Sequence, residues 1–351
     1  MWLQEKVFQE DLEQICNANY INWDELNEKT VFITGATGLV GYYVTSALLY
    51  RNLKYTANIK VLVLVRNLEA ASKKFSEQIK ANIGLRFIKG CVEKLPHIND
   101  EIDFIIHGAS PTASKMFLEQ PVDVINTLFT GTANVLELAR EKQVQGFIFL
   151  SSMEVYGNNN NEDKIDEKHE SFLDTMSPRN SYPEGKRLCE NLCASYRAQY
   201  DVPTKVLRLT QSFGPGVKKD DGRVFAQFLR AAMAGEDIVL LSKGTTKRCY
   251  LYLADAVTAI LTVLLNGDNG EAYNGANEDT YCSILDMAKL VAKEIGHDAM
   301  QVVIKENSDA AKQYMLEMFM NLDSSKLEKL GWRPTTGLTD MYKRMAAAII
   351  Y

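Results

Sequence analysis

The stretch Val31-Phe32-Ile33-Thr34-Gly35-Ala36-Thr37-Gly38-Leu39-Val40-Gly41 passes from an apolar run through a glycine-rich turn into Tyr42-Tyr43-Val44-Thr45-Ser46-Ala47-Leu48-Leu49. A short buried strand, a tight turn and a helix start, in that order, open a dinucleotide-binding α/β fold. Glycines let the backbone come within hydrogen-bonding distance of a pyrophosphate, and the helix N-terminus turns its unpaired N–H groups and positive dipole end on that charge. The spacing is Gly-x-x-Gly-x-x-Gly, not the Gly-x-Gly-x-x-Gly of the simplest fingerprint. Three glycines alone describe only a tight turn; the strand before and the helix after supply the specificity. Gly35, Thr37, Gly38, Leu39 and Gly41 are therefore the candidate phosphate-binding residues.

Working outward, strand and helix patterns alternate from Thr30 to about Gln211. Ile59–Val65, Arg86–Lys89, Phe104–His107, Gly146–Ser151 and Lys205–Leu209 read as further strands, with helical stretches such as Val122–Glu141 and Pro183–Tyr200 between them. This predicts an α/β fold, a Rossmann-type doubly wound parallel sheet with ligands beyond the strand C-termini. Past Gln211 the elements shorten: helix Val224–Ala234, strands Ile238–Leu241 and Cys249–Leu253, helices Asp255–Leu265 and Ser283–Ile295. A smaller C-terminal lobe folded over the strand ends is expected. Ahead of the first strand, Phe8, Leu12, Ile15 and Cys16 recur at helical spacing, so an amphipathic helix packs on the main body. The expected division is a helical extension over 1–29, the dinucleotide-binding domain over 30–211 and an interlocked, mainly substrate-binding lobe over 212–351. Asn158–Asn180 is polar and is expected to be a surface loop with the character of a lid.

Composition narrows the class. A chain of 351 residues with 46% hydrophobic and 24% charged residues is that of a soluble globular protein with a sizeable core. A net charge of −6 argues against a nucleic-acid surface, which needs a basic stripe. No apolar run approaches a membrane span, and Met1-Trp2-Leu3-Gln4-Glu5-Lys6 has no basic-then-apolar leader, so neither membrane nor secretion is expected and the cytoplasm is. The six cysteines are scattered without a Cys-x-x-Cys pair, and His97, His107, His169 and His297 show no metal-ligand spacing. Buried thiols and no metal are the expectation.

Ser151-Ser152-Met153-Glu154-Val155-Tyr156-Gly157 ends the strongly apolar strand Phe147-Ile148-Phe149-Leu150, and Tyr182-Pro183-Glu184-Gly185-Lys186 follows. Tyr182 and Lys186, at i and i+4, project from one helix face. An ammonium beside a phenol favours phenolate and draws its pKa towards the working pH. A serine hydroxyl at a neighbouring strand end fixes the same substrate oxygen, so Ser152, Tyr182 and Lys186 together can move a proton on an alcohol or carbonyl while a nicotinamide moves the hydride.

With these residues in place the chain resembles the extended short-chain dehydrogenases/reductases of the nucleotide-sugar epimerase/dehydratase/decarboxylase type, over about Thr30 to Arg333. The resemblance is carried by Gly35/Gly38/Gly41, His107-Gly108-Ala109-Ser110, Asn126 with Gly131-Thr132, Ser151-Ser152, Tyr182/Lys186, Arg208 through Phe213-Gly214-Pro215, and Arg248 with Tyr252-Leu253-Ala254-Asp255. It implies a Rossmann domain holding NAD or NADP, a C-terminal lobe holding a nucleoside-diphosphate sugar, UDP-sugars favoured, and Ser152, Tyr182 and Lys186 as the catalytic triad. It places Arg66, Asn67, Cys91, Val92, Gly108, Ala109, Ser110 and Asn126 at the cofactor, and Ser110, Pro111, Ser152, Met153, Gln211, Arg223, Val224 and Arg248 at the sugar nucleotide. It also implies a homodimer through Val122–Glu141 and Pro183–Tyr200, and a backbone-positioning role for His107.

Four positions bear on the reaction. Glu154 stands where 4,6-dehydratases and UDP-glucuronate decarboxylases carry a glutamate, next to the sugar C5, as a further catalytic candidate. Met153 replaces the aspartic acid with which the dehydratases protonate their leaving hydroxyl, and a thioether cannot donate a proton. Tyr182-Pro183-Glu184-Gly185-Lys186-Arg187, Asp221-Gly222-Arg223-Val224 and Lys247-Arg248-Cys249 are most similar to the UDP-glucuronate decarboxylases. Arg66 pulls the other way: it ends the second strand where NAD-preferring relatives place an acid, and a guanidinium suits a 2′-phosphate or stacks on adenine. Cys91 and Gln211 stand where Asp and Asn are frequent. Tyr250, Tyr252 and Phe225 are candidates for stacking a nucleobase or for core. The leading reading is a UDP-glucuronate decarboxylase-like enzyme acting through a 4-keto intermediate. An NADPH-dependent 4-keto-sugar reductase, a 4-epimerase or 4,6-dehydratase, and a silent nucleotide-binding regulatory protein are the alternatives; the intact triad speaks against the last.

Overall fold

A computed structural model describes residues 5–112, 114–296, 300–305 and 317–348; Met1–Gln4 and His297, named above, lie outside these. Thr30–Thr34 (β1) is buried along its whole length, as a strand covered on both faces must be. Lys60–Val65 (β2), Leu85–Lys89 (β3), Phe104–His107 (β4), Gly146–Ser152 (β5) and Thr204–Leu209 (β6) form the central sheet with it. A seventh strand, Ala272–Gly275 (β10), comes from beyond Gln211 and pairs in parallel with β6. The order is β10-β6-β5-β4-β1-β2-β3, with every pair parallel.

Alternate residues of these strands feed two separate cores, as the two-residue period of a strand dictates. Val31, Ile33, Val61, Val63, Ile106 and Ile148 join the core that includes Lys6–Cys16 (α1), Leu39–Tyr55 (α2) and Leu253–Asn266 (α9). Phe32, Leu62, Ile105, Phe147 and Phe149 join the core under Pro121–Glu141 (α6) and Ser181–Tyr200 (α7). Leu68–Lys74 (α3), Ser76–Ala81 (α4) and the short Ser114–Glu119 (α5) connect strands on the ligand side. The remaining lobe is built on Gln211–Phe213 (β7), Lys247–Tyr252 (β9), Asn277–Ser283 (β11) and Phe319–Met320 (β13), with Val224–Ala234 (α8) and Ile284–Glu294 (α10) beside Ile238–Leu240 (β8) and Val302–Ile304 (β12). No helix among the described residues is long and apolar enough to cross a membrane.

The segment Asn158–Asn180 is a correction to the lid expected from its polarity. Asn159, Ile165 and Leu173 are buried, Ile165 bridges to Leu322, and Arg187 donates from Nη2 to the Ser171 carbonyl (2.9 Å). Asn159 and Ile165 thus fasten its first half to the second lobe, and Ser171 fastens its second half to α7.

The N-terminal helix is fastened by charge as well as by its apolar face. Asp11 is fully buried and accepts from Tyr43 Oη (3.0 Å), Tyr252 Oη (2.7 Å) and Arg344 Nη2 (2.7 Å), the last from the C-terminal helix Leu338–Ala348. Removing the guanidinium leaves a buried carboxylate without its counter-charge. Arg344→Ala should therefore lower the free energy of unfolding by about 3 kcal/mol, read from urea-unfolding midpoints. A change inside the error of that measurement would show the clip to be dispensable.

Candidate active site

The ends of β1 and β4 define the ligand edge. Thr34 and His107 are register partners, and the Thr34 Oγ1 to His107 Nδ1 distance is 2.7 Å. Thr34 Oγ1 also accepts the Ala109 N–H (3.1 Å), and the ring Nε2 lies 3.1 Å from Thr132 Oγ1 on α6. Burial, then the Lys186 charge, push the His107 pKa down to about 3, so the ring is a neutral strut. Gly35 lies at φ +76°, and a Cβ there would sit 2.6 Å from the Gly108 carbonyl; one on Gly41 would sit 2.3 Å from Gly35 O. Thr37 and Gly38 are exposed, and Gly38 caps α2 without a side-chain hydrogen bond, leaving the first N–H groups of α2 for a ligand. With Leu39 half-buried in the first turn, this cradle fits a pyrophosphate.

Along the cofactor edge, Arg66 is exposed just past β2, and Asn67 Oδ1 accepts the Ala70 N–H (3.0 Å) as the cap of α3. Against the cost of burial, the Thr127 hydroxyl (2.5 Å), the Cys91 thiol and the Arg66 charge keep Glu93 ionised. Val92 is buried, and its carbonyl is taken by Asn134 Nδ2 (2.9 Å), while Asn126 is exposed on α6 with no side-chain hydrogen bond among the described residues.

Ser152 ends β5, where its Oγ accepts the Glu154 N–H (3.2 Å) and caps a single 3₁₀ turn over Met153–Tyr156. The first turns of α7 bring Tyr182 against it, with the Ser152 and Ser110 hydroxyls both acting on the phenol. Ser110 also donates to the Pro111 carbonyl (3.1 Å). Lys186 is buried, donates to the Leu150 carbonyl (2.7 Å), and holds its Nζ 5.7 Å from the Tyr182 ring centroid. Burial lowers the Lys186 pKa to about 8. The expectation that Lys186 holds Tyr182 as phenolate needs correcting here. Burial, and then the Glu154 charge, push the phenol well above its ordinary value, and only Ser152 and Ser110 pull it down. Burial thus opposes the phenolate that a neighbouring ammonium favours.

Two residues that the motifs did not single out complete the site. The Phe117 ring of α5 stacks on Tyr182 (centroids 4.5 Å apart), and the Arg179 guanidinium lies 5.2 Å over Phe117. Arg179 Nη1 is 3.9 Å from Glu154 Oε2. Burial raises the Glu154 pKa against the opposing charges of Arg179 and Arg248. Arg248 reaches the site from β9, between Cys282 of β11 and Met320 of β13. Arg179 stands three residues ahead of Tyr182 in a polar segment, a signal too common to select it from sequence.

Other expected contacts are placed differently. Met153 is 5% exposed and packs with Val155, Tyr156, Ile165, Cys249 and Met318, with the Thr210 hydroxyl 3.3 Å from its sulfur. Met153 therefore has a packing role in this core. Arg223 is held by Asp221 (Nη2 to Oδ2 2.6 Å) as the cap of α8; Val224 is the first residue of that helix, and Gln211 pairs with Tyr250 across β7 and β9. Tyr250, Tyr252 and Phe225 are fully buried, Phe225 stacking on Phe213 at 4.4 Å, so they are core and not a nucleobase platform. All six cysteines are free thiols, and no metal-binding cluster occurs among the described residues.

Comparison with known proteins agrees with this geometry. The sequence pattern described as the NAD dependent epimerase/dehydratase family matches residues 31–276. UDP-glucuronic acid decarboxylase 1 of Xenopus tropicalis is 28% identical over 341 residues, covering 96% of this chain and 76% of that protein. UDP-N-acetyl-alpha-D-glucosaminuronate decarboxylase of Bacillus cytotoxicus is 30% identical over 280 residues, covering 79% and 83%. Among solved structures, UDP-glucose 4-epimerase of Thermotoga maritima with UDP-glucose superposes with a TM-score of 0.75 at 22% identity, covering 91% of this chain and 98% of that one. The match spans the glycine cradle, the Ser152–Tyr182–Lys186 site and Arg248 together, and the chain is an enzyme that belongs to the NAD dependent epimerase/dehydratase family.

Proposed function

We propose that this enzyme decarboxylates a UDP-linked uronic acid, UDP-glucuronate first among the candidates, through a transient 4-keto sugar. One observation carries the reading: Glu154, beside the catalytic phenol, is faced by two guanidinium groups, Arg179 and Arg248, in a largely buried site. A guanidinium presents a planar fork of donors that matches a carboxylate, so a substrate carboxylate finds complementary groups here. The naming of the relatives above as decarboxylases supports it.

A nicotinamide dinucleotide held on the Gly35–Gly41 cradle would supply reversible hydride acceptance for the C4 carbon. Tyr182 first releases its own proton to solvent, and as phenolate it takes the C4 hydroxyl proton, with Ser152 beside it and Lys186 as the cation on the same helix face. Arg179 and Arg248 face the C6 carboxylate. The C5–C6 bond breaks with loss of CO2, its electron pair passing into the 4-keto group. Glu154, whose acid form burial favours, returns a proton to C5. A second reading, reduction of a 4-keto sugar by exchangeable NADPH, is favoured only by Arg66.

Incubating the purified enzyme with UDP-glucuronate should release CO2 and a UDP-pentose without net consumption of dinucleotide. Sustained NADPH oxidation with a 4-keto sugar, and no CO2 from UDP-glucuronate, would establish the reductase instead. Tyr182→Phe should cut turnover about a thousandfold, within the range of acid–base catalysis. Lys186 carries its charge below its pKa of about 8 and loses it above, so kcat/KM should fall as pH rises through about 8. A pH profile flat to pH 10 would remove Lys186 from the proton step.

The same reading includes a homodimer. Val122, Ile125 and Phe129 form an exposed stripe at helical spacing on α6, joined by Leu118 of α5 and Leu188 of α7. A second copy presenting the same stripe would cover it isologously. Phe129→Glu should shift the sedimentation coefficient from dimer to monomer; an unchanged value would place the interface elsewhere.

A further inference from the structure

We infer that the chain has a second ligand site, outside the catalytic centre, that takes a small neutral polyhydroxy compound, a free sugar or polyol. The site is a cavity of about 350 Å³ between α7, the end of β6 and the segment Asn158–Asn180. Tyr156, His169, Ser171, Arg187, Glu190 and Arg208 stand in its wall, and none of Ser152, Tyr182 and Lys186 does.

The two guanidinium groups of the wall differ. Arg208 is spent: Nε and Nη2 go to Glu190 (Nη2 to Oε2 2.6 Å), and Nη1 goes to Tyr156 Oη (3.0 Å) and the Glu167 carbonyl (2.9 Å). Arg187 is not. Its Nε donates to the Val155 carbonyl (2.7 Å) and its Nη2 to the Ser171 carbonyl (2.9 Å), which clamps the segment to the 3₁₀ turn that carries Glu154. Its Nη1 stands 3.9 Å from Glu184 Oε1, beyond hydrogen-bond reach. Glu184 Oε1 is buried and has no hydrogen-bond partner among the described residues. The same is true of His169 Nε2 and Ser171 Oγ, the His169 ring standing edge-on to Tyr156 with centroids 6.2 Å apart.

Buried polar groups in folded proteins are nearly always hydrogen-bonded, and three orphans in and behind one cavity wall call for a shared partner. Charge decides its class. Arg208 is matched by Glu190 and Arg187 faces Glu184, while the exposed Glu170 adds an acid. No positive charge is left over, so a phosphate or carboxylate would enter unbalanced, and a cation would meet Arg187. The wall also asks for both halves of a hydrogen bond: a guanidinium only donates, a carboxylate only accepts, and the Ser171 hydroxyl does both. A ligand bearing several hydroxyls answers each of them. The volume is at the low end for small-molecule sites, which suits one sugar ring and not a dinucleotide. A compound held here would brace the Arg187 clamp, and with it the turn of Glu154, without touching the substrate.

Saturation-transfer NMR with xylitol and with D-glucose, on enzyme whose catalytic site is filled with NAD and UDP, should show saturable binding of at least one of the two. Ser171→Ala and His169→Phe, which leave the Arg187 clamp in place, should each weaken that binding about tenfold. Saturable binding of neither polyol, or an affinity unchanged in both variants, would overturn the inference. Binding of inorganic phosphate instead, lost in the same two variants, would also overturn it, because the site would then select an anion. No turnover is read, so the outcome is separate from that of the decarboxylation assay.

Discussion

The ligand edge is set by two backbone turns that meet with no room for a side chain between them. The turn after β1 approaches the turn after β4 so closely that a Cβ on Gly35 would lie 2.6 Å from Gly108. The His107 ring keeps them there, with one nitrogen bonded to Thr34 and the other to Thr132. Burial and the Lys186 charge hold the ring neutral, so it ties the two threonines together without bringing a charge to the ligand edge.

A second constraint joins the halves of the site. Ser151 donates to Glu190 (2.5 Å), Glu190 takes Arg208 in a bidentate pair (Nη2 to Oε2 2.6 Å), Arg208 reaches Tyr156 Oη (3.0 Å), and Tyr156 donates to Asn274 (2.6 Å). The chain of bonds crosses β5, α7, β6 and β10, and Asn274 continues it to the carbonyls of Ile165 (2.9 Å) and Asp323 (3.1 Å). A buried ion pair of this kind contributes little net stability, and its value lies in permitting one arrangement. Here that arrangement fixes the end of β5, and with it Ser152 and Glu154, against the helix that carries Tyr182 and Lys186.

The sequence is readable where one short-range cause dominates. The doubly buried strands, the glycine turn and the α7 pair announce themselves by apolar runs and spacing, and β4 and α8 have the boundaries read from them. Ala272-Tyr273-Asn274-Gly275 does not, because nothing in those four residues alternates; they become a strand by pairing with β6. Asn158–Asn180 misleads because its polarity is counted per residue, whereas three buried side chains decide where it lies. Met153 is another case, since the residue type shows that it cannot donate a proton and the fold alone shows that it is packed in core. Arg179 and Phe117 come to the site only through tertiary contact. The protonation state of Tyr182 follows from burial, which no i,i+4 spacing conveys.

The electrostatics of the site then form a consistent set. Burial disfavours charge on each of Tyr182, Glu154 and Lys186, driving the first two towards their protonated forms and the third towards loss of its proton. Two of the three groups are coupled, because an ionised Glu154 makes phenolate at Tyr182 harder to form. A ligand carboxylate placed between Arg179 and Arg248 would compete with Glu154 for the same two cations. Glu154 would be left closer to its acid form. In that form it no longer opposes ionisation of Tyr182, and it holds the proton that an enolate at C5 requires. One displacement of charge would therefore prepare both the base that opens the reaction and the acid that closes it.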